Sequence, residues 1–171
     1  LETLEKQGII ALHYVKLDAQ GSVDLIHLEE LLKTYPNALV SLMHANNEIG
    51  NLLDIEAVGN LCEQYGAYFH SDTVQTMGHY RHDLKKLNVH GMTAAAHKFH
   101  GPKGVGFMYI NKDKKIKQFV HGGAQERNMR GGTENVYGII GLAKASEICY
   151  REKHEHQAYI TSLKKEKMEE L

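Results

Sequence analysis

The 171-residue sequence has no tryptophan, two prolines and two cysteines. Cys62 and Cys149 are too few and too far apart to staple a disulfide framework. No C-x-x-C pair suggests a structural zinc or a dithiol redox motif. Two isolated thiols fit a reduced, cytoplasmic setting. Charge of neither sign is in excess, with a formal net charge of −1. No basic block is present to bind nucleic acid or an anionic membrane surface. No apolar run approaches the roughly 20 residues of a membrane-spanning helix, and no stretch has the pattern of a signal peptide. Internal repeats, low-complexity tracts and flexible linkers are also missing.

What the chain does have is histidine, 12 in all. His79/His82 and His97/His100 are spaced i, i+3, and His154/His156 are two apart. A metal site needs three or four converging ligands with outer support. These pairs are scattered, and no cysteine or carboxylate motif completes one, so surface or hydrogen-bonded histidines are expected and no metal.

Short apolar runs alternate with helical patterns. Residues 9–15 and 38–43, Ala67–His70, Met92–Ala96 and Gly104–Ile110 read as strands. Leu25–Leu32 reads as a helix. Asp54 reads as an N-cap, Ile55, Val58, Leu61 and Cys62 as the apolar stripe that follows, and Gly66 as the stop. His82–Leu87 reads as a short helical turn. From Thr133 onward the pattern is helical, first apolar and then strongly charged. Alternation of this kind predicts an α/β fold with a mainly parallel sheet flanked by helices. The expected organisation is one domain over residues 1–150, with 151–171 starting a projecting helix toward a further, smaller domain. The chain begins at Leu1 in a helical pattern and ends in Lys164-Lys165-Glu166-Lys167-Met168-Glu169-Glu170-Leu171, which is the expectation for an internal piece of a longer protein.

Asn47, Asp72 and Lys98 each fall just past the carboxyl end of a predicted strand, where open α/β sheets bind ligands. A carboxylate, an amide and a lysine there are the parts needed to hold a carbonyl cofactor, captured as a Schiff base on Lys98. Lys98 lies between Ala94-Ala95-Ala96-His97 and Phe99. Partial burial there would lower its pKa and favour the neutral amine. Asp72 and Gln75, at i, i+3, face the same way on a helical turn. Asp72 reads equally as an ordinary cap or as the partner of a ring nitrogen, with Gln75 donating to a ring oxygen. Asn46-Asn47 before Gly50 reads as turn chemistry or as ligand-orienting amides. Thr133, or a backbone N–H at the helix start after Arg130-Gly131-Gly132, could bind a phosphate. The glycine spacing matches neither a Walker loop nor a dinucleotide fingerprint. Cys62 and Cys149 sit on apolar helix positions and read as core residues.

Taken in order, His44-Ala45-Asn46-Asn47-Glu48-Ile49-Gly50, Asp72-Thr73-Val74-Gln75, Ala96-His97-Lys98-Phe99-His100-Gly101-Pro102-Lys103-Gly104, His121-Gly122-Gly123 and Arg130-Gly131-Gly132-Thr133-Glu134-Asn135 resemble the cysteine desulfurase family, the NifS/IscS-like branch of the class V aminotransferases. The resemblance covers nearly the whole chain. It implies part of the large domain of a fold-type I enzyme that uses pyridoxal 5'-phosphate. Lys98 would carry the cofactor, with His97 beside the phosphate. Asp72 would pair with the pyridinium nitrogen, Gln75 with the phenolic oxygen, and Asn47 with the ring oxygen or the substrate. Thr133 would reach the partner's cofactor phosphate across a homodimer. The reaction implied converts L-cysteine to L-alanine and an enzyme-bound persulfide. The sulfur would pass to an acceptor or an iron–sulfur scaffold protein, or to tRNA thiolation.

One position departs from the family pattern. Ala95 stands where the family usually has a serine on the cofactor phosphate; losing that hydrogen bond costs about 1–3 kcal/mol unless another donor substitutes. The family's persulfide cysteine, substrate-binding arginine and ring-stacking histidine are expected outside this sequence, so the piece alone is expected to be inactive. Another class V enzyme such as a selenocysteine lyase, and a non-catalytic dimerisation or binding module that keeps the fold, stand as alternatives.

Overall fold

The computed structural model describes residues 1–114 and 116–170. Lys115, and Leu171 at the end of the expected linking helix, lie outside the described residues. Helix α1 (Glu2–Lys6) is followed by an irregular segment, then α2 (Leu25–Thr34), β1 (Leu39–Met43), α3 (Ile55–Gln64), β2 (Tyr68–Asp72) and β3 (Gly91–Ala95). A single 3-10 turn covers Ala96–Phe99 before β4 (Gly106–Ile110), the short turn α4 (Gln125–Asn128) and the long α5 (Val136–Glu169).

The strands form one sheet in the order β1-β2-β3-β4. The first two pairings are parallel and the last is antiparallel, so the mainly parallel α/β expectation holds. In register, Met43 pairs with Asp72 and Asp72 with Thr93. The side-chain period of two then sorts the faces. Val40, Phe69, Ser71, Met92 and Ala94 share one face; Ser41, His70, Asp72, Thr93 and Ala95 share the other.

The helices bury against the first face. Leu28 and Leu32 of α2 and Val58 and Cys62 of α3 pack with Val40, Phe69 and Met92. Ala145 and Cys149 of α5 pack with Ala94, Ala96, Phe99 and Met77. The helix stops are local. Asp24 caps α2 by accepting from the Ile26 and His27 N–H groups, and Asp54 caps α3 by accepting from Ala57 N–H at 2.9 Å. Gly66, with φ +66°, turns the chain after α3 as the sequence predicts. Burial along α5 ends at Cys149, and its charged remainder is mostly exposed.

One predicted strand does not form. Residues 9–15 pair with no strand among the described residues; the nearest ladder contact is an isolated bridge between Leu17 and Val23. Side chains hold the segment instead. Leu12 N–H and Tyr14 Oη–H donate to Glu5 and Glu2 of α1, and His13 stacks on Tyr35 at 4.2 Å. A short apolar run predicts a strand, but a strand also needs an edge to join. Residues 82–87 form the expected single turn, with Lys86 and Leu87 N–H both donating to the Asp83 carbonyl.

Candidate active site

The two parallel pairings bring the carboxyl ends of β1, β2 and β3 to one edge of the sheet. Backbone bonds stitch these ends together. His44 N–H donates to the Asp72 carbonyl at 2.8 Å, and Thr73 N–H donates to the Thr93 carbonyl at 3.0 Å. The segments that leave this edge carry Asn47, Asp72 with Gln75, and His97 with Lys98.

Of the two amides, Asn46 takes the turn role. Asn46 builds the turn: its Oδ1 accepts from Glu48 and Ile49 N–H at 2.8 and 3.1 Å. Asn47 is exposed, and among the described residues its amide donates only to the neighbouring Glu48 carboxylate at 2.6 Å.

Asp72 is the last residue of β2 and is half-buried. Its Oδ1 accepts from Val74 N–H at 2.9 Å, as a cap would, and opens a helix-like turn in which Met77 N–H donates to the Thr73 carbonyl. Gln75 lies on that same turn, also half-buried. The second carboxylate oxygen of Asp72 has no hydrogen bond among the described residues, so capping leaves half of the group free.

His97 and Lys98 occupy the 3-10 turn directly after β3. Ala96 N–H donates to the Val105 carbonyl and Gly101 N–H to the Ala96 carbonyl, which closes the turn at both ends. Ala96 and Phe99 are buried, whereas His97 and Lys98 are exposed. The burial of Lys98 suggested by its alanine neighbours is therefore not observed: with three residues per 3-10 turn, Ala96 and Phe99 share the inward side and the pair between them is left outside. Ala95 is half-buried on the open sheet face.

Thr133 is exposed in the loop before α5 and is not the helix cap. Asn135 caps α5, its side chain accepting from Gly138 N–H at 3.1 Å. Among the described residues Thr133 has no hydrogen bond to Lys98, Asp72 or Gln75. Its loop is tied to itself, through Gly131 N–H to the Val120 carbonyl and Gly132 N–H to Gln125 Oε1.

A histidine pair lies behind this edge that sequence spacing does not reveal. His44 Nδ1 is 2.9 Å from Thr76 Oγ1 and 3.0 Å from His82 Nε2. Burial pushes the His44 pKa down, and burial together with the neighbouring His44 pushes His82 down to about 4. The cluster ties the loop carrying Asn47 to the turn carrying Gln75. Among the described residues no three His, Cys, Asp or Glu side chains converge as a metal site. Both thiols are buried and free; burial pushes Cys62 up to about 12 and also raises Cys149. A hollow of about 380 Å³ lies between α2 and α3, lined by Leu25, Ala57 and Leu61 among others, away from every strand-end residue named above. No described helix is long and apolar enough to cross a membrane.

Comparison with known proteins gives this arrangement a family. The aminotransferase class-V family model matches residues 1–171. A cysteine desulfurase IscS of Dictyoglomus turgidum is 44% identical over 161 residues, covering 94% of this chain and 40% of that protein. A cysteine desulfurase IscS of Methanosarcina thermophila is 42% identical over 168 residues, covering 98% and 41%. A solved NifS-like protein structure matches with TM-score 0.88 and 41% identity, over 96% of this chain and 45% of that one. The chain thus spans less than half the length of these relatives. It belongs to the class-V aminotransferase family, and its similarity within that family runs to proteins named cysteine desulfurase.

Proposed function

We propose that this chain is the cofactor-binding core of a cysteine desulfurase that uses pyridoxal 5'-phosphate. The observation that carries the reading is that the segments bearing Asn47, Asp72 with Gln75, and Lys98 leave the carboxyl ends of three adjacent parallel strands. The donor set fits the group. Asp72 keeps one carboxylate oxygen free beside its capping bond, as a partner for a protonated ring nitrogen needs. Lys98 presents an exposed amine one turn beyond the neighbouring strand. When bound, the cofactor supplies an electron sink that labilises bonds at the substrate α-carbon.

The residues then have distinct tasks. Lys98 would hold the cofactor covalently and would take the proton from the substrate α-carbon. Asp72 keeps the ring nitrogen charged. Gln75 and Asn47 would orient the ring oxygen and the substrate, and His97 would help to hold the phosphate. Thr133 contributes to the phosphate of the partner's site in a homodimer, in keeping with its exposure and its lack of bonds to its own strand ends.

In the overall reaction the Cβ–S bond of L-cysteine breaks and an S–S bond forms to an enzyme thiolate. A proton replaces sulfur at Cβ, giving L-alanine and the persulfide. Buried Cys62 and Cys149, with raised thiol pKa values, do not supply that thiolate. It comes from another part of the protein, which leaves this piece inactive alone. The persulfide serves a sulfur-acceptor or iron–sulfur scaffold protein in a reducing, cytoplasmic setting. Sulfide release from L-cysteine by the full protein, retained in Cys62→Ser and Cys149→Ser variants, tests the reading. No release, or release lost with either serine, would overturn it.

A further inference from the structure

The backbone of the Lys98 turn is held from behind by groups that lie outside the strand-end set. His79 Nε2 is 3.2 Å from the Lys98 carbonyl oxygen. A carbonyl only accepts, so the Nε2 nitrogen carries the proton and donates. The next carbonyl, that of Phe99, accepts from the Cys149 thiol of α5 at 3.4 Å. His79 is itself anchored, because Gln157 of α5 donates to the His79 carbonyl at 3.0 Å and His79 N–H donates to the Thr76 carbonyl. Its neighbour Gly78 brings the two segments into contact: with φ +82°, a Cβ there would come within 2.8 Å of Phe99 Cβ. The turn that begins at Asp72 and carries Gln75 therefore ends by gripping the peptide of Lys98. The cleft behind the ring, lined by His100, Cys149, Lys153 and His156 among others, measures about 30 Å³ and leaves no room for an organic ligand.

We propose that His79 is a positioning residue, whose Nε2–H fixes the main-chain carbonyl of Lys98 and so sets the amine in register with Asp72 and Gln75. This inference rests on Lys98 being the cofactor-bearing lysine. It touches neither cofactor nor substrate. Two links carry it. Asp72, Gln75 and His79 share one short, hydrogen-bonded turn, and the Lys98 carbonyl belongs to the residue whose side chain must reach what that turn holds.

The test uses the full protein stripped of cofactor and mixed with pyridoxal phosphate. Covalent capture is followed by absorbance and fixed with borohydride. His79→Leu slows capture about five-fold, as loss of one hydrogen bond of ordinary strength dictates. His79→Gln, which retains a donor at a similar reach, restores the rate to within about two-fold of the parent. In a Lys98→Ala background, where the cofactor binds only non-covalently, His79→Leu leaves its dissociation constant unchanged. A general structural defect would weaken both. Should leucine unsettle the fold, His79→Ala and His79→Gln carry the same comparison. Capture at the parent rate in the donor-less variants, failure of glutamine to restore it, or equal weakening in the Lys98→Ala background would overturn the role of His79. Borohydride fixation persisting in Lys98→Ala alone would instead overturn the assignment of the lysine.

Discussion

Acid should unlock the joint between the Asn47 loop and the Gln75 turn, and His82 should account for most of the effect. His82 Nε2 lies 3.0 Å from His44 Nδ1 and 3.3 Å from Thr76 Oγ1. Its pKa falls from 6.5 to about 4 through burial first and the charge of His44 second. A depressed histidine pKa means that the unfolded chain binds the proton more readily than the folded one. The stability associated with neutral His82 is complete above pH 6.5 and is lost as pH falls toward 4. The size follows from the shift: His82 alone costs about 2 kcal/mol by pH 5 and on the order of 3 kcal/mol by pH 4. His44, His70 and His90 are also shifted down by burial and act in the same direction, so total acid sensitivity is larger. Comparison with His82→Ala isolates the residue, because the other histidines contribute to both proteins. Urea unfolding midpoints measured from pH 7.5 to 5 supply the assay. The stability gap between the parent and His82→Ala should shrink by about 2 kcal/mol over that range. A gap constant to within about 0.5 kcal/mol, or a His82 ring titrating near 6.5, would refute the reasoning.

Phe99→Ala should cost about 3–5 kcal/mol, because Phe99 is fully buried between α5 and the Lys98 turn; a thermal melt unchanged from the parent would contradict this packing. Asp72→Asn should reduce desulfuration by on the order of 100-fold or more while cofactor retention, read by gel filtration and absorbance, falls far less; near-normal turnover would refute its proposed role. Thr133→Val should raise the cofactor dissociation constant about three- to ten-fold. At limiting cofactor, a mixed dimer of Thr133→Val with Lys98→Ala subunits should be more active than either mutant homodimer, since its one intact lysine faces an intact threonine. A mixed dimer as impaired as both parents would show that Thr133 does not act across the interface.

Much of the fold was legible because its signals are local. Asp54 and Gly66 bracket α3 in sequence and do so in space. The apolar runs before Asn47, Asp72 and Lys98 become adjacent strands, and the parallel register needs only the short α/β connections that the helical patterns imply. Residues 9–15 show the limit. Their apolar run is genuine, but strand formation depends on an available edge, and no local pattern encodes one. The exposure of Lys98 was missed for a related reason. Its alanine neighbours predict burial on average, whereas a single 3-10 turn sends Ala96 and Phe99 inward and His97 and Lys98 outward. His44, Thr76 and His82 are separated by 32 and 6 residues along the chain, so only folding brings them together. At Asp72 the cap reading is seen in one oxygen, which accepts from Val74 N–H, while the second has no hydrogen bond among the described residues and is the one the proposed ring-nitrogen role would use.

Borohydride reduction of the full protein with pyridoxal phosphate, followed by mapping of the modified peptide, tests the central claim most directly. The account predicts a single reduced pyridoxyl label on Lys98. A label on Lys103 in its place, or no label in the peptides spanning residues 96–104, would contradict it.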